Sequence, residues 1–238
     1  MKAIPFALFL VAAAGLPAQE KPPTIPTSFY VFEYVPRRDV MHLQTGEQTF
    51  QPHQLSKANI VGPIDVTLTD GLLPIYDKPA TVGGEVTYPR LNTARFPAGL
   101  KYALVILIPA PANSPEPYRS LVLNHDLSDF PLGVYRMINV SPHPIRGAIG
   151  KSIIQAKPGS IANLEPKGQP GEILPVRFEF FSEDRWNLLT ETRAAIRDDR
   201  RWLTCIYQDP VTGRMNIRSI PDRAAGAPPP PAPDAATP

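Results

Sequence analysis

The chain has 238 residues, with 24 lysines and arginines against 22 aspartates and glutamates, for a formal net charge of +2. Its basic residues are scattered, with no stripe or aromatic-interleaved patch, so nucleic acid finds no footprint. Cys205 is the only cysteine, which excludes an intramolecular disulfide.

In chain order, the first element reads as an export signal over residues 1–18. Met1-Lys2 is a short basic start, and Ala3 to Leu16 is an apolar run too short for a span of about 20 residues. Leu16-Pro-Ala18 offers cleavage before Gln19, against the alternative of an uncleaved anchor. No cysteine stands there to form a lipobox. The expected location is therefore secreted or periplasmic, with no stable membrane span after signal removal. Residues 19–27, containing Lys21-Pro-Pro-Thr-Ile-Pro26, read as an extended linker. At the other end, residues 223–238 are mostly alanine and proline and lack the apolar bulk to offset ordering entropy, so a disordered tail is expected.

Between the tails nearly every segment reads as strand. Ser28 to Val35 is aromatic and β-branched. Met41 to Phe50 reads as a hairpin about Thr45-Gly46. Pro63 to Thr69 alternates Ile64, Val66 and Leu68 against polar residues, a half-buried strand. Tyr102 to Ile108 is continuously apolar, which predicts a central strand covered on both faces. Arg146 to Ile154 reads as another hairpin, with Gly150-Lys151 suited to a tight turn. Leu174 to Ser182 alternates again. Trp186 to Ile196 fits a helical stripe or a strand; its β neighbours and nearly complete polar face favour strand. Asp77 to Gly99 is either a long functional loop or an irregular strand pair. The 31 prolines, well above the usual share of about 5%, often end the apolar runs, where they cap strands and protect edges.

Two stretches share one design. Tyr102 to Asp126 runs strand, proline turn, strand, aspartate, and Trp202 to Asp222 does the same. Upstream, Phe29-Tyr-Val-Phe-Glu-Tyr-Val-Pro36 matches Val134-Tyr-Arg-Met-Ile-Asn-Val-Ser-Pro142, each leading into a Gly-centred hairpin. The expected fold is all-β: two tandem antiparallel, immunoglobulin-like β-sandwich modules, 28–127 and 133–222, arising from an internal duplication. The segment Gly133-Val-Tyr-Arg-Met-Ile-Asn-Val-Ser-Pro-His-Pro-Ile145, followed by Lys157-Pro-Gly-Ser160, resembles an element of uncharacterised secreted bacterial β-sandwich proteins. It is similar to the opening of the DUF4397 type of domain. That resemblance covers a third of the chain at most and implies a fold and a location; it brings no catalytic residues.

No chemical constellation stands out. There is no Gly-x-Ser-x-Gly elbow and no phosphate-cradling glycine loop. The four histidines lack metal-ligand spacing; His125 beside Asp126 and Asp129 comes nearest. Cys205 lies mid-strand, so a buried thiol is expected rather than a copper ligand. No catalytic residue, metal or cofactor is assigned. Exposed aromatics are the better lead for ligand binding, with Trp186, Tyr118 and Tyr88 as candidates, although strand-internal positions favour both tryptophans facing the second core. The leading expectation is an exported non-enzymatic binding or assembly component whose partner is an envelope protein or glycan. Carbohydrate or cell-wall binding is one alternative. A hydrolase with its site at the module junction, near His125 to Phe130, is the other.

Overall fold

The computed structural model describes residues 24–209 and 212–223, and these contain strands and no helix. The segment expected to be an export signal, the start of the expected linker and all but the first residue of the expected tail lie outside the described residues.

The first half holds β1 (Thr24–Val31), β2 (Val40–Gln44), β3 (Phe50–Gln54), β4 (Val61–Thr67), β5 (Leu72–Tyr76), β6 (Ala80–Val82), β7 (Glu85–Thr87), β8 (Arg90–Arg95), β9 (Ala103–Pro109) and β10 (Tyr118–Asn124). The second half holds β11 (Tyr135–Asn139), β12 (Ile145–Ile149), β13 (Ser152–Ala156), β14 (Ile161–Leu164), β15 (Ile173–Ser182), β16 (Arg185–Ala195), β17 (Arg201–Gln208) and β18 (Met215–Asp222). Strands pair only within their own half. The first half forms sheets β10-β9-β1-β4 and β3-β2-β5-β8; the second forms β18-β17-β11-β14 and β13-β12-β15-β16. The two orders follow one plan, apart from the small β6–β7 hairpin that the first half inserts after β5. In each half one pair departs from the antiparallel expectation: β1 runs parallel to β9, and β11 parallel to β17.

Three apolar layers fill this architecture. Phe29, Val31, Met41, Ile75 and Leu107 belong to the core of the first sandwich. Met137, Ile154, Phe178 and Ile206 belong to the core of the second. A third layer joins the halves: Tyr30, Phe32, Leu104 and Ile106 pack with Ile138, Leu203, Cys205 and Ile220. The sandwiches are thus docked back to back, and the β9 and β17 sheets form the two middle layers of a four-sheet stack. This explains the continuous apolar run of β9. Ala103, Val105 and Leu107 enter the first core, and Leu104, Ile106 and Ile108 enter the shared layer. Both faces of the strand leave water, which alternation with polar residues would forbid.

One expectation is corrected at its edge, and the open readings resolve as strand. Thr24 to Thr27, expected in a linker, already pair with β4 as the start of β1. The Asp77 to Gly99 stretch contains three short strands, β6, β7 and β8, the last of them bonded to β5. Trp186 to Ala195 is strand, part of β16, which pairs along all of β15, and Ile196 follows its end. The Thr45-Gly46 and Gly150-Lys151 turns join β2 to β3 and β12 to β13, and Gly150 has the positive φ of 57° that this turn requires.

Candidate functional site

The shared plan makes one difference between the halves easy to see. In the first sandwich the flank between β8 and β10 is stitched shut. Asn92 Nδ2 donates to the Tyr118 carbonyl at 3.0 Å. Glu116 accepts from the Thr93 amide at 3.0 Å and from the Thr93 hydroxyl at 2.8 Å. The β8–β9 connection then plugs the end of the core with Phe96 and Leu100.

In the second sandwich the corresponding flank, between β16 and β18, is open. No matching stitch joins these strands among the described residues. Ile196 stands where Phe96 stands, each amide donating at 2.9 Å to the carbonyl just before its partner strand. The smaller side chain fills less space. The connection that follows is Arg197-Asp-Asp-Arg-Arg201, with no apolar counterpart to Leu100. A cavity of about 460 Å³ results, with Tyr135, Val176, Phe178 and Trp202 along its floor and Arg193, Arg197 and Arg200 at its mouth. Its size falls within the range of small-molecule sites, about 300–1,000 Å³.

The floor is built by register. Tyr135 pairs with Trp202 across β11 and β17, and their rings stack with centroids 5.7 Å apart and planes 12° from parallel. The equivalent pair in the first half, Thr27 and Ala103, has no ring at either position. The Trp202 indole Nε1 is buried and has no hydrogen-bond partner, unusual for a group that normally finds one when it leaves water. At the mouth, Asp199 accepts from Arg200 at 2.9 and 2.7 Å and from Arg197 at 3.2 Å. These guanidinium bonds hold its carboxyl well below the usual carboxylate range. Arg193 is exposed and has no carboxylate partner among the described residues. Chemically the arrangement is a cavity with an aromatic and aliphatic floor and guanidinium groups at its edge.

A second cluster lies at the junction of the halves. Asp222 accepts from Arg201 Nε at 2.6 Å and from His125 Nε2 at 2.7 Å. Arg201 also donates to the His125 carbonyl, and Arg136 to the Asn124 carbonyl and to Asp129. Both guanidinium groups lie over the Phe130 ring, 4.6 and 4.3 Å from its centroid. A small cavity of about 170 Å³ opens beside His125, lined by Ser28, Tyr102 and Arg201 among others. Burial is the largest influence on His125 and outweighs the Asp222 hydrogen bond, so its pKa lies below the ordinary histidine value. The neutral ring therefore carries its proton on Nε2, facing the acceptor-only carboxylate. Among the described residues no hydrogen bond links Ser28 to His125. The cluster fastens the linker between the halves to both of them.

The three aromatic candidates do not converge. Tyr118 is only 1% exposed. Its hydroxyl accepts from the Val35 amide at 2.8 Å and donates to the Arg38 carbonyl at 3.0 Å, so it is a core residue and cannot form an exposed stacking surface. Tyr88 stacks on Phe50 at 3.9 Å, against the outer sheet of the first sandwich. Trp186 lies beneath the Arg146 guanidinium at 4.4 Å, on the opposite outer sheet. The tryptophans divide: Trp202 packs against the second core, whereas Trp186 packs edge-on against Phe181. Cys205 is fully buried, in the layer between the halves, and burial pushes its thiol up from the ordinary value. His125 draws no metal-like group around it; no cluster of three or more His, Cys, Asp or Glu exists among the described residues.

Tyr135, Phe178, Arg193 and Arg197 were not singled out by sequence. The readable signal was the contrast between the two β-to-β connections, Phe96 to Leu100 against Ile196 to Arg200. No known family model matches the chain, and no curated protein matches it. No helix among the described residues is long and apolar enough to cross a membrane.

Proposed function

We propose that the chain is an exported, non-enzymatic binding protein of the envelope or periplasm whose ligand enters the open flank of the second sandwich. The observation that carries this reading is the asymmetry between two halves of one topology, one flank stitched and plugged, the other open over an aromatic floor. Internal duplication followed by divergence accounts for it: one copy kept the closed core and the other traded core filling for a cavity. Leaving apolar surface unfilled costs stability, so an open, aromatic-floored flank favours a binding role over a packing accident. The basic-then-apolar start of the chain and the resemblance to secreted DUF4397-type sandwiches support the exported location.

Occlusion tests the site. Ala194→Phe and Thr192→Phe, on the face of β16 that the buried Leu174 and Val176 share, fill the cavity from its wall. The purified protein is incubated with a solvent extract of its envelope fraction, re-isolated, and analysed by mass spectrometry for retained small molecules. The wild-type protein should retain a compound that both variants lose. Equal retention by all three would move the site elsewhere. No retention by the wild type would favour a protein or glycan partner.

A further inference from the structure

Resting on the open flank as the binding site, we infer that its ligand is a free, single-chain amphipathic anion: an extended apolar body ending in a carboxylate or a comparable anionic group.

The body is specified by the floor. Val176 and Phe178 present buried aliphatic and aromatic surface, and the parallel Tyr135 and Trp202 rings continue it towards the mouth. The only polar group buried in this floor without a partner is the Trp202 indole N–H. It can donate one hydrogen bond and accept none, so it suits a ligand oxygen rather than an amine. The charge is specified by the mouth. Three arginines line it: Arg197 and Arg200 share the Asp199 carboxylate, and Arg193 stands at the cavity's edge on β16, opposite the exposed Pro175. That leaves Arg193 as a cation with no carboxylate partner among the described residues, beside an apolar cavity. A guanidinium offers a planar fork matched to a carboxylate or phosphate, and the Arg193 charge disfavours a cation there. A bulky polyanion such as a nucleotide fits poorly, because Val176, Phe178, Ala194 and Trp202 make much of the lining apolar and the Thr192 and Ser219 hydroxyls add no charge to it.

Trp202 is also the reporter. The chain has two tryptophans, so Trp186→Phe leaves Trp202 alone to fluoresce. Dodecanoate and dodecanol, each kept below its solubility or micellar limit, form a matched pair that differs in charge. Dodecanoate should shift and saturate the Trp202 emission at about tenfold lower concentration than dodecanol. Arg193→Gln, a change at an exposed position, should cost dodecanoate about tenfold in affinity and leave dodecanol unchanged, and raised salt should weaken dodecanoate alone. If the two bind equally and Arg193→Gln affects neither, the anionic assignment falls while the site stands. If neither probe moves the Trp202 emission, the site itself falls. If emission responds to anionic lipid vesicles and not to monomeric dodecanoate, the free-ligand assignment is overturned in favour of a membrane surface.

Discussion

Arg201 and Asp222 face each other across β17 and β18, and their side chains, 1% and 8% exposed, form an ion pair at 2.6 Å. The pair lies at the end of the layer that joins the two sandwiches. Arg201 goes on to donate to the carbonyls of Phe130 and His125, in the segment connecting the halves. A single guanidinium thereby ties the last strand of the second sandwich to the last strand-end of the first. At the opposite end of the layer Arg218 does similar work, donating to the Phe32 carbonyl at 2.8 Å and to the Tyr207 hydroxyl at 3.2 Å. Between these two polar ends the layer is apolar, with Phe32 and Tyr207 packed edge to face across the halves at 5.4 Å.

Removing the Asp222 carboxylate should be far more damaging than removing the pair. Asp222→Ala leaves Arg201 buried without its counter-ion, a loss of about 3–5 kcal/mol in comparable sites. Arg201→Met/Asp222→Leu removes both charges and should recover much of that loss. Urea unfolding of the two variants checks this; equal destabilisation would show that the ion pair itself, and not the orphaned charge, matters.

The His125 ring gives stability a pH dependence. Its folded-state pKa lies below the ordinary value, chiefly because it is buried. Below about pH 6.5 the unfolded chain therefore binds a proton that the folded chain does not. Stability should fall as pH drops through this range, until folded His125 is itself protonated. His53 is shifted in the same direction, by burial and by His42, and adds to the slope. His125→Gln, which keeps a donor for Asp222, should flatten the dependence of unfolding free energy between pH 7 and 5.5 without abolishing it. An unchanged slope would place the titration elsewhere.

The strands were legible because their patterns are local. Alternation in Leu174 to Ser182 and the glycine turn at Gly150 follow from pleat and φ alone. The apolar run of β9 also announced a strand covered on both faces, but not the cover: the partner layer lies a hundred residues away, on β17, where Leu203 and Cys205 are buried. Tyr118 misled for a similar reason. Its residue type suits an exposed stacking surface, and only the fold brings the Val35 amide and Arg38 carbonyl to its hydroxyl. The open flank is an absence, the missing bulk at Ile196 and the missing counterpart of Leu100, and absences become visible only when two halves of one plan are superimposed.

Cys205 should report on the docking of the halves. It is fully buried in the shared layer rather than in either sandwich core, so a thiol reagent reaches it only when the halves part or the chain unfolds. In the native protein Ellman's reagent should label it no faster than global unfolding. Leu203→Ala, at a position 0% exposed in the same layer, should cost about 2–5 kcal/mol and speed labelling accordingly. Labelling much faster than unfolding would reveal that the sandwiches separate while each stays folded.

The turn between β15 and β16 holds unused stability. Ser182 pairs with Arg185, so Glu183 and Asp184 form a two-residue loop, and both have positive φ, 53° and 55°. That is the type I′ geometry, whose twist matches the flanking strands and which asparagine followed by glycine satisfies best. A residue with a Cβ is strained in the left-handed region by roughly 1–2 kcal/mol, less for aspartate or asparagine. The side chains offer little in return: the Glu183–Arg185 contact is 3.7 Å long, and its side chains are 80% and 70% exposed, so it contributes little. Glu183→Asn/Asp184→Gly should stabilise the protein by about 1 kcal/mol, after the added backbone freedom of glycine in the unfolded chain is set against the relieved strain. For a chain of this size that corresponds to a rise in Tm of about 2–4 °C, readable by calorimetry. The hairpin lies at the far end of β16 from the open flank, so dodecanoate affinity should stay unchanged. A fall in Tm would mean that Glu183 or Asp184 makes a contact worth more than the strain it carries.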